Sequence, residues 1–149
     1  MHVDAIDKQL IAALQADARR PLVSLARDLD MAPSSVRDRM SRLESRGVIT
    51  GYAAITDARE LGWGVQAFLL VRLDRHEQDF ESHMLELPQV RACYMVSGRF
   101  DYIVHVAGAD IDELGTFVRE GIEVEPGVPR VESAIVFRTL KSEAGWPAR

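Results

Sequence analysis

Residues 22–47, which follow Pro21, read LVSLARDLDMAPSSVRDRMSRLESRG. Two short amphipathic segments flank a tight break, and the second carries Arg37, Arg39, Arg42 and Arg46. Two helices joined by a short turn make a helix-turn-helix, whose second helix fits the major groove of DNA. Few other arrangements bury two apolar stripes this short, so the stretch fixes both a local fold and a candidate partner, double-stranded DNA.

The flanking residues complete a three-helix head. Asp4 stands as the N-cap of a first helix with Asp7 at its third position, both carboxylates facing free backbone N–H groups. Ile6, Leu10, Ala13 and Leu14 give that helix one apolar stripe, and Ala18-Arg19-Arg20-Pro21 ends it. A second helix covers Leu22–Leu29 with Leu22, Leu25, Ala26 and Leu29 inward. Asp30 falls where the turn needs a left-handed backbone, which Asp tolerates. Pro33 suits the first turn of the third helix, and Val36, Met40 and Leu43 form its seam. Ser34, Ser35, Arg37, Asp38, Ser41 and Arg42 are left outward. Short hydroxyls and an arginine able to bind guanine in bidentate fashion suit base reading. Arg39, Arg42 and Arg46, with Arg19, Arg20 and Arg27, are expected at phosphates. Gly47 closes the helix as a left-handed cap. Ala32 stands at the cap of the third helix, where alanine performs poorly.

The net charge of −5 looks wrong for a DNA binder until it is divided. Residues 1–50 hold eight of the 18 Lys+Arg and seven of the 23 Asp+Glu, a net of +1. The remaining 99 residues hold ten against sixteen, a net of −6. Phosphate attraction is screened within ~8–10 Å at moderate salt, so the local patch decides. The asymmetry predicts two domains with different partners. The longest aliphatic or aromatic run, Ala67–Val71, is too short for a membrane span, and acids near the N-terminus oppose a signal peptide. A single cysteine, Cys93, excludes an intramolecular disulfide and fits a reducing cytoplasm.

The periodicity then changes. Val48–Thr56 reads as a strand and Asp57–Gly64 as a linker. Gln66–Asp74 reads as a strand, and Glu77–Leu87 as a helix with Phe80, Met84 and Leu87 on one face. Arg91–Ser97 and Asp101–Ala107 read as strands joined by Gly98-Arg99-Phe100. Asp110 caps a helix lined by Ile111, Leu114, Phe117 and Val118, and Arg130–Leu140 alternates as a last strand. The order βαββαβ is ferredoxin-like. The expected fold is α+β: a winged or three-helix helix-turn-helix domain at 1–50, a strand and linker at 51–64, and a ferredoxin-like sensing and oligomerisation domain at 65–149. The first sheet strand is apolar on both faces, Ala67, Leu69 and Val71 on one, Phe68 and Leu70 on the other. One set packs on the helices. The simplest cover for the other is the same face of a second copy, a symmetric dimer. A dimer also suits a head that reads two half-sites about one DNA turn (~34 Å) apart.

Arg42-Leu43-Glu44 followed by Gly47-Val48-Ile49-Thr50-Gly51-Tyr52, then Val96-Ser97-Gly98-Arg99-Phe100-Asp101-Tyr102, then Pro126-Gly127-Val128, together resemble the leucine-responsive regulatory protein (Lrp/AsnC, feast/famine) family. The resemblance runs from Asp4 to Lys141. It implies a DNA-binding head, a strand-containing linker and a domain that senses an amino acid or related metabolite, in dimers that assemble further into tetramers or octamers. It places the effector near Ser97, Gly98, Arg99, Phe100 and Asp101. Asp101 suits an α-ammonium group, and Arg99 or backbone N–H groups suit a carboxylate. The chain departs from the family at Arg99, where an acid is common, at Ala32, commonly Ser, and at Asp30, commonly Gly.

Other chemistry has less support. His76, His83, His105 and Cys93 are the reactive candidates, and a Cys93–His105 thiol–imidazole pair across adjacent strands is conceivable. No His-x-x-x-His or Cys-x-x-Cys pair is present, and no phosphate-binding glycine loop. Trp63 and Trp146 read as packing or linker residues. No enzyme activity, cofactor, metal or membrane association is expected. The rival from another class is a metabolite-binding oligomeric interaction module whose head has lost DNA binding.

Overall fold

A computed structural model of the chain describes residues 3–74, 78–125 and 127–141. His76, Glu77, Pro126 and Trp146 lie outside the described residues. The chain divides into two compact units, one within Met1–Ile55 and the other Thr56–Leu140.

The first unit is three helices, α1 (Ala5–Ala16), α2 (Leu22–Asp28) and α3 (Pro33–Ser45). Leu10, Leu14, Leu25, Ala26, Val36 and Leu43 make its core, with Leu22, Leu29 and Met40 packed at the margin. Asp4 and Asp7 form a reciprocal capping box: the Asp4 side chain accepts from the Asp7 N–H at 2.8 Å, and Asp7 accepts from the Asp4 N–H at 3.2 Å. The turn between α2 and α3 is a Schellman motif. Asp30 sits at φ 52°, its N–H donating to the Arg27 carbonyl while the Met31 N–H donates to that of Ala26. The end of α3 repeats the device with Gly47 at φ 66°, the Gly47 and Val48 N–H groups donating to the carbonyls of Glu44 and Leu43.

That second cap corrects one expectation. Val48–Thr56 forms no strand. The Val48 and Ile49 N–H groups are spent on the Leu43 carbonyl, and among the described residues no neighbouring strand offers it a ladder. The head is therefore three-helical, with no strand wing among the described residues.

The second unit is β1 (Val65–Arg72), α4 (Gln78–Glu86), β2 (Val90–Met95), β3 (Tyr102–Gly108), α5 (Ile111–Phe117) and β4 (Arg130–Ile135), with α5 widening into a π-helical turn at Val118–Ile122. The sheet order β2-β3-β1-β4, with antiparallel neighbours, is the ferredoxin-like arrangement. Ala67, Leu69 and Val71 are fully buried with Tyr102, Val104 and Val106 beneath Phe80, Met84, Leu114, Phe117 and Ile122. Asp110 caps α5 by accepting from the N–H groups of Asp112 and Glu113. Ile111, expected on the inner face, is 55% exposed; the stripe that packs is Leu114, Phe117 and Val118, and Ile111 precedes it on the first turn. The last strand is shorter than its alternation suggested. The Val136 N–H donates to the Gln66 carbonyl, beyond which only Val65 of β1 remains, and Phe137 and Leu140 stand exposed. No described helix is long and apolar enough to cross a membrane.

Candidate DNA-reading and effector sites

On α3, Ser34, Arg37, Asp38 and Ser41 recur at three- and four-residue spacing and are exposed, opposite the buried Val36 and Leu43. They share one stripe because residues three and four apart are neighbours on a helix. Arg42 and Arg46 are exposed beside it, and Ser35 is half-buried at its edge. Arg27 is exposed on α2, within 3.7 Å of the Asp28 carboxylate, and the Arg20 guanidinium pairs with Asp28. The expected cap weakness is present: Ala32 is the N-cap of α3 and contributes no side-chain bond. Ala32→Ser is expected to stabilise the head by about 1 kcal/mol, read as a shift in its thermal midpoint.

Arg39 does not share the solvated stripe. Its side chain is only 17% exposed, and its guanidinium donates to the Asp4 carboxylate at 2.6 Å and the Asp7 carboxylate at 2.7 Å. The same two carboxylates cap α1, so one arginine ties the reading helix to the first turn of the helix beneath it. The hydrogen bond from Arg39 holds the Asp4 carboxyl below its ordinary pKa. Sequence spacing placed Arg39 near phosphates because it lies just off the Val36–Met40 seam. The carboxylates that claim it are over thirty positions away, beyond reach of a periodicity argument. Tyr52 donates to Glu44 at 2.8 Å, fastening the chain after α3; burial, then Glu44, pushes its hydroxyl pKa up to about 12.

The loop Ser97–Asp101 lies between β2 and β3. Ser97, Gly98 and Arg99 are exposed, Phe100 and Asp101 half-buried. Gly98 sits at φ 125°, outside the range of ordinary side chains. Asp101 is anchored twice to the end of β1: its carboxylate accepts from the Leu73 N–H at 2.8 Å and its own N–H donates to the Val71 carbonyl. It thereby sets the loop against β1, leaving one carboxylate oxygen for other partners. Arg99 lies over the Phe100 ring, 4.6 Å to the centroid, and reaches Glu132 on β4 at 2.8 and 2.9 Å. Next along β3, Tyr102 donates to Glu81 of α4 at 2.6 Å. Burial, then Glu81, pushes its pKa up to about 12. Glu132, Arg130 and Glu81 are partners that sequence reading missed. The period-two spacing of Arg130 and Glu132 was legible, but its nearness to Arg99 depends on sheet order.

The other reactive groups are separated. Cys93 pairs in register with Val104 and packs toward the helix-side core, whereas His105 pairs with Ala92 and stacks on Phe68 at 4.7 Å on the opposite face. Alternation of a strand puts the two on different faces, so the conceivable thiol–imidazole pair does not form. Burial, then Glu81, raises the Cys93 thiol. Burial, then Arg91, lowers the His105 imidazole, which also meets the Gln66 side-chain oxygen at 3.0 Å. His83 meets the Gly121 carbonyl at 3.1 Å. Among the described residues no group of three His, Cys, Asp or Glu is placed to hold a metal. A concavity of about 450 Å³ lies between the turn holding Asp57, Arg59 and Trp63 and the segment Val136–Thr139. It contains no residue of the Ser97–Asp101 loop.

A model of the AsnC-type helix-turn-helix domain matches residues 3–44, and one of the Lrp/AsnC ligand binding domain matches residues 66–146. The HTH-type transcriptional regulator AldR of Mycolicibacterium smegmatis is 34% identical over 143 residues, 93% of this chain and 84% of that protein. A Neisseria meningitidis transcriptional regulator solved with L-methionine superimposes with a TM-score of 0.93 at 26% identity, covering 98% of this chain and 97% of the other. The feast or famine regulatory protein of M. tuberculosis, also solved with L-methionine, gives a TM-score of 0.91 at 30% identity over 99% and 100%. With an AsnC-type reading head in its first unit and the Lrp/AsnC ligand-binding domain in its second, the chain belongs to the Lrp/AsnC family of transcriptional regulators.

Proposed function

We propose that the protein is a homodimeric, cytoplasmic regulator that reads DNA through α3 and whose hold on DNA answers to an amino acid bound at the Ser97–Asp101 loop. The observation that carries the reading is the pairing of an exposed α3 stripe, Ser34, Arg37, Asp38 and Ser41, with a sensing domain whose open glycine loop is anchored to β1 through Asp101. The L-methionine held by two structural relatives supports an amino-acid effector. In this reading Arg37 meets base edges, Arg27, Arg42 and Arg46 meet phosphates, and Arg39 holds α3 in place. Effector binding favours one quaternary arrangement, changing how many heads engage DNA together, which is linkage between two binding events.

The sheet face away from the helices is the surface through which the chain dimerises in this reading. Phe68, Leu70, Ile103, Tyr94 and Ala134 face that side by register, and Phe68 and Tyr94 are exposed in the single chain. A second copy laid on the same face covers them symmetrically.

The test is a pair of variants. Arg37→Ala is expected to cost about 1–3 kcal/mol on the operator and to relax sequence preference. Arg46→Ala is expected to weaken operator and random DNA alike. Equal effects of both variants on both DNAs contradict the assignment. The missing cap at Ala32 favours the second reading, a metabolite-binding interaction module without DNA binding; absence of operator preference in the unmodified protein selects it.

A further inference from the structure

Residues 65–149 carry fourteen acids against nine Lys+Arg, yet three arginines gather at one end of the open sheet face. Arg72 and Arg130 are direct register partners on β1 and β4, and like charges placed opposite each other are destabilising. They lie on the same side as Leu70 and Glu132, which pair with each other one step along the ladder. Arg99 joins them from the effector loop by reaching Glu132. Glu132 is also bonded to Arg130 at 2.5 Å. Among the described residues Glu132 is the only carboxylate in ion-pair contact with any of the three, and Arg72 has none. Arg99 and Arg130 therefore share one carboxylate, and Arg72, the register partner of Arg130, adds a third positive charge beside them. In the single chain Arg99 and Arg130 are 69% and 63% exposed, and they stand at the loop end of the face, four residues along β1 from Phe68 at its centre.

An uncompensated like-charge cluster beside a ligand loop calls for a negative partner. Guanidinium groups take carboxylates in bidentate, charge-assisted pairs, which are stronger and more directional than bonds between neutral groups. We propose that Arg72, Arg99 and Arg130 form an anion subsite of the effector site, and that the effector of this protein carries a carboxylate beyond that of a neutral amino acid: an acidic amino acid or a small dicarboxylate. The inference rests on the effector-site reading given above. Glu132 acts as the resident counter-ion, holding Arg99 and Arg130 together until the ligand carboxylate shares or displaces it. Arg99, which reaches Glu132 from the effector loop, thus becomes a specificity determinant. The two ligand sources differ in whether an ammonium group is needed, for which Asp101 is the neighbouring acceptor.

Calorimetric titration of the full-length protein with L-glutamate, L-glutamine, L-methionine and succinate tests this. L-glutamate and L-glutamine differ in one charged group at nearly constant shape, so their ratio isolates the subsite. L-glutamate or succinate is expected to bind at least about tenfold more tightly than L-glutamine, one charge-assisted pair's worth of affinity. Succinate binding as tightly as L-glutamate identifies the dicarboxylate, and L-glutamate alone identifies the amino acid. In Arg99→Gln and Arg130→Gln, both exposed positions whose folding is checked by thermal melting, that preference is expected to disappear while weak binding of L-glutamine persists. A preference for L-glutamine or L-methionine, or an acidic preference that survives both substitutions, overturns the subsite and leaves an amino-acid effector standing. No binding by any of the four overturns the subsite and the effector-site reading together.

Discussion

Phe68→Glu converts the protein to a monomer and lowers its affinity for a two-half-site operator by ~10²–10⁴-fold, the avidity lost when two reading heads no longer act together. Phe68 is 39% exposed at the centre of the open sheet face, stacked on His105 and flanked in register by Ala134. A carboxylate there is solvated in the single chain, so the fold survives; between two apposed sheets it is a desolvated charge facing its own symmetry mate, which association cannot absorb. Sedimentation velocity reads the assembly and fluorescence anisotropy reads the DNA. Affinity for an isolated half-site stays as it was. A variant that remains dimeric removes this sheet face from the interface.

Arg39→Glu melts the reading head and abolishes DNA binding at every salt concentration. The substitution brings a third carboxylate against Asp4 and Asp7, where the structure holds one guanidinium between two. Asp7 is buried in the head, and a buried carboxylate that loses its partner is strongly unfavourable. The milder Arg39→Ala separates a holding role from a phosphate contact. It lowers DNA affinity with no change in the slope of log affinity against log salt, whereas Arg42→Ala reduces that slope by about one. Arg39→Lys retains most of the affinity, because a cation still bridges the capping box. A slope reduced equally by Arg39→Ala and Arg42→Ala returns Arg39 to the phosphates.

Most of the fold was legible because it is written in short-range signals. The Asp4–Asp7 box, the left-handed Asp30, Pro33 at the start of α3 and Gly47 at its end act within a few residues, and each stands where spacing predicts. The βαββαβ order followed from changes of period, and the sheet order β2-β3-β1-β4 matches it. What spacing missed depends on partners far along the chain. Val48–Thr56 reads like a strand but lacks a ladder partner among the described residues. Residues past Ile135 alternate too, but the β1–β4 ladder stops at Ala67–Ile135, with only Val65 and Gln66 of β1 beyond it. At the candidate sites the outward residues of α3 were readable from its seam. The pairing of Arg39 with α1 and of Arg99 with Glu132 was not, since each spans more than thirty residues. Ile111 was misplaced because an apolar residue just after a cap belongs to the first turn, before the packed stripe begins.

The proposed regulator links DNA binding and effector binding in one molecule. The most direct measurement is a fluorescence-anisotropy titration on the DNA upstream of the protein's own gene against a scrambled fragment. It is run at two salt concentrations, with and without a pool of amino acids that includes the acidic ones. Tighter, salt-sensitive binding to the native fragment is expected, with a shift of that binding by the pool. Equal binding to both fragments under every condition, or native-fragment binding that no amino acid moves, contradicts that linkage.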